Sequence, residues 1–214
     1  MLDLYCCAGG AAKGYDDAGF DVVGVDLAPQ PHYPYEFIQA DALEVLADKA
    51  FMALFDAAHG SPPCHDHTPL SALSGLDGTG RLLAATREGF QAAGIPWVIE
   101  NVPGAPMRAD LTLCGGMFGL RTYRHRWFEL SGSLGLVSVP YHPPHRALTA
   151  TKRRRERWAE GWHVSITGDV GVYVGPEAMG IGWMNGAELS QAIPPPYTEY
   201  VGRLLIDHLQ EAAA

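Results

Sequence analysis

The chain has 214 residues, 47% of them hydrophobic and 18% charged, with a mean hydropathy of −0.03. That is enough apolar material for one cored domain, and it excludes an intrinsically disordered chain. No apolar run reaches the ~18–20 residues of a membrane span, and Met1-Leu2-Asp3-Leu4-Tyr5 lacks the basic region of a secretory leader, so a soluble cytoplasmic protein with no membrane contact is expected. Four cysteines (Cys6, Cys7, Cys64 and Cys114) do not make a disulfide framework in a chain this long.

The formal charge of −9 argues against nucleic-acid binding until its distribution is considered. Between Arg121 and Arg157 stand nine of the 15 basic residues and only two acids, Glu129 and Glu156, a net +7 against −16 for the rest. A basic segment on an acidic body is a footprint for phosphate contact. Trp127, Trp158 and Trp162 interleave with it, as bases stack on aromatic rings. The competing reading is a solvated helix face.

In chain order, Leu2–Cys6 reads as a buried strand on which the adjacent cysteines face opposite ways, and Gly9–Gly14 as a glycine turn opening a helix. Val22–Asp26 reads as a second strand ending in a carboxylate, and Glu36–Gln39 as a third. Asp41 and a helix to about Lys49 follow, then a strand over Met52–Ala58 stopped by Gly60-Ser61-Pro62-Pro63. Arg81–Ala93 has helical spacing, Trp97–Ile99 is strand-like, and Tyr200–Leu209 forms an amphipathic closing helix. The alternation predicts an α/β domain with a mostly parallel sheet and its ligands at the carboxyl ends of the strands. The pattern weakens into glycine, proline and basic residues from Ser131 to Gly175, which marks an insert.

Four strand ends carry chemistry. Gly9 and Gly10 admit a ligand close to the backbone, Asp26 stands where an acid takes ribose hydroxyls, and Asp41 suits an adenine amino group, although the spacing is not GxGxxG. In Ser61-Pro62-Pro63-Cys64-His65-Asp66-His67, proline fixes the approach to Cys64, a candidate nucleophile ahead of Gly75, Gly78 and Gly80. A buried inert thiol and a metal site at Cys64, His65 and His67 compete with that reading. CxxC-type spacing is missing, so no metal is expected. Glu100, between apolar Ile99 and Val102, is a candidate proton donor with a raised pKa. Alternation in Arg124-His125-Arg126 puts Arg124 and Arg126 on one face, within reach of an oxygen acceptor.

Taken in order, Asp3–Gly10, Gly24-Val25-Asp26, Asp41, Ser61-Pro62-Pro63-Cys64, Glu100-Asn101-Val102, Arg124-His125-Arg126 and Glu188–Pro196 resemble the motifs of the DNA (cytosine-5) methyltransferase family. The resemblance covers most of the chain except residues 131–175. It implies a class I S-adenosylmethionine-dependent methyltransferase fold: Rossmann-like, with a mixed, mostly parallel sheet and helices on both faces. Residues 1–130 would be the catalytic and cofactor-binding core, 131–175 a reduced target-recognition insert, and 176–214 a segment completing the core.

By the same resemblance, Cys64 attacks C6 of cytosine, Glu100 protonates N3, and Arg126 with Arg124 holds O2. S-adenosylmethionine lies against Tyr5, Cys7, Ala8, Gly9, Gly10, Asp26, Leu27, Asp41, Ala42, Pro63 and Gln191. The implied partner is double-stranded DNA with a flipped cytosine, held by Arg153, Arg154, Arg155 and Arg157, and a monomer in a bacterial or virus-infected cell is expected, with or without a cognate restriction system. The chain departs from the family in having His65 after the nucleophile, Thr122 for the usual glutamine, and Ser190-Gln191 before Ala192-Ile193-Pro194. Action on RNA or a free cytidine nucleotide, a silent DNA-binding relative and thiol redox chemistry are the alternatives. The Lys152–Arg157 cluster argues against a free nucleotide, and the missing CxxC against redox.

Overall fold

A computed structural model describes residues 1–63, 81–134, 137–148, 154–166 and 174–214. The core elements are β1 (Leu2–Leu4), α1 (Gly10–Ala18), β2 (Val23–Asp26), β3 (Glu36–Gln39), α2 (Ala42–Ala47), α3 (Lys49–Met52), β4 (Ala58–Gly60), α4 (Arg81–Ala93), β5 (Trp97–Asn101), β6 (Leu111–Leu113) and β7 (Arg126–Leu130). Beyond them lie β8 (Ala147–Leu148), α5 (Arg154–Ala159), β9 (His163–Val164), α6 (Gly175–Met179), α7 (Gly186–Gln191) and α8 (Pro195–Ala213).

Seven strands form one sheet in the order β3-β2-β1-β4-β5-β7-β6. The first five run parallel, while β7 is antiparallel to both β5 and β6. The chain winds outward from β1 in both directions, so a crevice opens at the carboxyl ends of β1 and β4.

Each face of the sheet buries its own helices. On one, Tyr15 of α1 and Tyr197, Val201 and Leu205 of α8 pack over Val98, Leu111 and Phe128. The two helices touch closely because Gly14 has no side chain: a Cβ there would stand 2.0 Å from the Pro195 carbonyl oxygen. On the other face, Leu46, Met52, Leu83 and Phe90 cover Leu2, Leu4, Val25 and Ile99. Adjacent Val98 and Ile99 thus serve opposite cores, as the period of two in a strand requires.

Several boundaries differ from those read in the sequence. The first strand stops at Leu4 because Tyr5 (φ 59°) and Cys7 (φ 45°) are left-handed, so the two cysteines sit in a turn and do not alternate on a strand. Met52–Ala58 is not a strand. The Asp48 carboxylate accepts from the amides of Ala50 and Phe51, both at 3.0 Å, and starts α3, leaving only Ala58–Gly60 to pair in the sheet. The last helix begins at Pro195 rather than Tyr200, because proline suits a first turn whose N–H groups have no helical partner anyway. Residues 163–166 of the insert dock on the core. Val164 and Ile166 are fully buried with Ala178, Met179, Ile181 and Leu189, and the Val164 carbonyl accepts from the Tyr123 amide at 2.8 Å.

Candidate active site

A cavity of about 590 Å³ opens at the carboxyl ends of β1, β2, β4 and β5, a size suited to a cofactor plus a base. Of the proposed cofactor residues, Tyr5, Cys7, Ala8, Gly10, Asp26, Leu27, Asp41, Ala42, Pro63 and Gln191 line it. Gly9 is not among the lining residues. It caps α1 at φ 82°, and a Cβ there would meet Pro34 Cδ at 2.9 Å, so its place in the glycine turn serves backbone geometry and packing.

The acids of this half are held by near neighbours. Asp26 ends β2 and accepts from the amides of Cys7 and Ala28, each at 3.0 Å, which fixes the left-handed turn after β1. Asp41 caps α2 by accepting from the Leu43 amide at 2.7 Å. Gln191, at the end of α7, accepts from Cys7 Sγ at 3.6 Å. Asp3 also lines the cavity, although the sequence reading did not single it out. Its Oδ2 is buried without a partner among the described residues, and burial, with Asp26 and Glu100 nearby, holds its carboxyl well above the usual range. A carboxyl in the middle of an apolar strand was its only signal.

Glu100 stands on β5 at the far wall, 5% exposed, with Arg126 Nε 2.8 Å from its Oε1. Burial pushes its carboxyl up, opposed by Arg126, the Ser61 hydroxyl and Arg124. Behind it runs a buried chain of hydrogen bonds. The Tyr15 hydroxyl meets His59 Nδ1 at 2.8 Å, His59 Nε2 meets Ser61 Oγ at 2.8 Å, and Ser61 reaches Glu100. His59 is fully buried and its pKa is pushed down to about 3, so the imidazole is neutral. With Tyr15 donating to Nδ1, Nε2–H donates to Ser61 and Ser61 to Glu100, so every member is satisfied in one direction. His59 alternates with Ala58 and Gly60 on a short strand and carries no local motif.

Cys64 and Arg153 lie outside the described residues. The segment entering Cys64 is nonetheless anchored: Asn101 Nδ2 donates to the Pro62 carbonyl at 2.8 Å, tying the two prolines to the strand that carries Glu100. Of the other three thiols, Cys6 and Cys114 are buried, and burial raises all three, Cys7 to about 12.

Arg124 and Arg126 both line the cavity, yet their partners differ. Arg124 donates through Nη1 to the Ile166 carbonyl at 2.7 Å and through Nη2 to the Ser190 carbonyl at 2.8 Å. It therefore clamps the insert and α7 to the core, and burial beside Arg126 lowers its pKa to about 9. Arg157 pairs with Glu160 at 2.7 Å and lies 4.7 Å over the Trp162 ring, while Arg121 lies 3.7 Å over Trp158. Two of the interleaved tryptophans, Trp158 and Trp162, thus serve as platforms for arginines of the same chain. Arg154 and Arg155 open α5.

The turn after β6, the residue entering β7 and the strap at residues 137–148 bring together Cys114, His125 and His142, with one ligand atom of each within 4.8 Å of the others. The expectation of no metal weighed only Cys64, His65 and His67; this second set of donors has no local motif, because its members come from separate segments of the chain.

Neither protein-family models nor curated proteins match the sequence. Among solved structures, S. pombe Dnmt2 methyltransferase aligns with a TM-score of 0.59 at 13% identity, over 97% of this chain and 98% of that one. A Spodoptera frugiperda DNMT2 triple mutant aligns at 17% identity with a TM-score of 0.44, over 59% of this chain and 47% of that one. The sheet order and the likeness to S. pombe Dnmt2 give the chain the class I, Rossmann-like methyltransferase fold.

Proposed function

We propose that this protein transfers a methyl group from S-adenosylmethionine to C5 of cytosine in DNA. The observation that carries the reading is the convergence of Glu100, Arg126 and the anchored Pro62-Pro63 segment on one cavity whose opposite wall is acidic. Asp3, with its unpartnered buried oxygen, together with Asp26 and Asp41 fits a ligand bearing a cationic amine, a sulfonium, ribose hydroxyls and an adenine amine. When bound, S-adenosylmethionine supplies the electrophilic methyl group.

An aromatic pyrimidine carbon is a poor nucleophile until a covalent bond at C6 breaks the ring's conjugation. The Cys64 thiolate forms that C–S bond while Glu100 gives its proton to N3, and Arg126 holds O2. C5 would then take the methyl group as the donor's methyl–sulfur bond breaks, the donor leaving as the neutral thioether S-adenosylhomocysteine, and N3 would return its proton to Glu100. Loss of the C5 proton to a base expels the thiolate and restores the ring. Burial holds the thiols of Cys6, Cys7 and Cys114 protonated, which supports Cys64 as the nucleophile. The base must leave the helical stack to reach this cavity, and the Lys152–Arg157 run supplies phosphate contacts.

The test is methyl incorporation from labelled S-adenosylmethionine into DNA, RNA and dCMP side by side, with DNA the expected acceptor. DNA carrying 5-fluorocytosine, which has no C5 proton to lose, should trap a denaturant-resistant adduct that Cys64→Ala does not form. Label entering only RNA would overturn the DNA assignment; an adduct with Cys64→Ala would overturn the nucleophile.

A further inference from the structure

We propose that Cys114, His125, His142 and His145 form a structural site for a zinc-like divalent cation, pinning the strap at residues 137–148 to the end of the sheet. Cys114 follows β6, His125 immediately precedes β7, and both other histidines come from His142-Pro143-Pro144-His145. Two prolines between those ligands hold them at a fixed separation.

Two ligand pairs already stand at tetrahedral spacing, and Cys114, His125 and His142 each offer an atom within 4.8 Å of the others, so a modest contraction would close the site. Zinc bonds of ~2.05 Å to nitrogen and ~2.3 Å to sulfur place neighbouring ligand atoms about 3.3 Å apart for N···N and about 3.6 Å for S···N. His125 Nε2 and His142 Nε2 are 3.2 Å apart, and Cys114 Sγ and His145 Nε2 are 3.8 Å apart. His145 Nδ1–H donates to the Pro143 carbonyl at 3.0 Å, which fixes the tautomer with its lone pair on Nε2, facing the sulfur. A metal-bound histidine is held in the same way. Gly116 keeps the wall open, since a Cβ there would press on His145 at 3.2 Å.

The rival is a metal-free stack of imidazoles, with His125 and His142 rings 5.3 Å apart and His142 and His145 rings 4.9 Å apart. Stacking does not need a thiol, whereas the Cys114 sulfur sits beside His145, with the backbone amides of Gly115, Gly116 and Arg124 and the Thr122 carbonyl at 4.0 Å around it. Four protein ligands make a closed site, which is structural rather than catalytic. Binding exchanges the Cys114 thiol proton for a metal–sulfur bond and releases that proton to solvent. Because Arg126 follows His125 directly, the metal would also steady the arginine that faces Glu100.

The full-length protein, purified from zinc-supplemented cells and dialysed, should retain about one zinc per chain by mass spectrometry. Replacing it with cobalt(II) should give tetrahedral visible bands and a thiolate charge-transfer band. Cys114→Ser should remove the charge-transfer band. His142→Ala, at an exposed position, should weaken cobalt affinity at least ~100-fold, since losing a group that merely orients a ligand already costs 10–100-fold. Cys64→Ala and His208→Ala should keep both bands. Zinc that dialyses away from the wild type would overturn the proposal. So would a spectrum and affinity unchanged in His142→Ala, or a charge-transfer band lost with Cys64→Ala and retained in Cys114→Ser.

Discussion

The two halves of the molecule hold their polar groups in different ways. Where β2, β3 and α2 frame the cofactor side, Asp26, Asp41 and Asp48 bond amides two or three residues ahead in the chain. Around β7 and the insert, Arg124 bonds carbonyls 42 and 66 residues away, and Cys114 approaches a histidine 31 residues away. Local partners preorganise a pocket early in folding, because closing a short loop costs little entropy. Distant partners form only when the whole domain has assembled, so the base side rests on them more heavily than the cofactor side, where Asp26 also holds the Cys7 amide 19 residues back.

The largest effect should come from the base side. Glu100→Gln keeps size and can still meet Arg126 and Ser61, but it cannot deliver a proton. General acid catalysis is typically worth ~10²–10⁴-fold, so turnover should fall by that factor in single-turnover kinetics while DNA affinity stays close to wild type. Near-normal turnover would mean that protonation comes from elsewhere.

Arg124→Met should then separate clamp from chemistry. Two carbonyls lose charge-assisted bonds, each typically worth ~1.5–3 kcal/mol, offset by no longer burying a cation, so a stability loss of about 3 kcal/mol is expected in denaturant melts. Hydrogen exchange should rise first at residues 163–166 and 186–191 and least at β1 to β3. Uniform loosening would erase the contrast between the halves.

On the cofactor side, Asp26→Ala should weaken S-adenosylmethionine by about 1.5–3 kcal/mol, the value of hydrogen bonds to a charged acceptor. It also frees the Cys7 and Ala28 amides, so a further stability loss of about 1 kcal/mol is expected. Calorimetry giving unchanged affinity would move the ribose elsewhere.

His59 provides a pH test. It is neutral in the fold down to about pH 3 but takes a proton near its ordinary 6.5 when unfolded. Its contribution is therefore complete above pH 6.5 and falls as pH drops through that value towards 3, amounting to about 2 kcal/mol between pH 7 and pH 5. Melts at the two pH values should show that much less loss in His59→Gln than in the wild type. Equal losses would mean that the imidazole is already charged in the fold.

The smallest energies per contact belong to the basic run. Changing Arg153, Arg154 and Arg155 to alanine should weaken DNA binding and flatten the salt slope by up to about 2.7, at ~0.9 per phosphate contact. Cofactor affinity should not move. An unchanged slope would make the run a solvated helix face.

Much of the fold was legible because the strand–helix alternation is written in apolar periodicity, and β3 and α4 occur at the residues the pattern gives. Asp26, Asp41 and Glu100 were legible for a related reason: a carboxylate at or just past the end of an apolar strand stands at the sheet's carboxyl edge, whereas Asp3, inside its strand, gave no such sign. Periodicity could not show that Tyr5 and Cys7 turn left-handed, because the Asp26 carboxylate that holds that turn comes from the next strand. Nor could it show His59 reaching Ser61 and Glu100, Arg124 spending its guanidinium on Ile166 and Ser190, or four distant cysteine and histidine donors converging. Those outcomes depend on which side chains are left without water once the two faces of the sheet close, and a buried polar group must then bond whatever the fold brings to it.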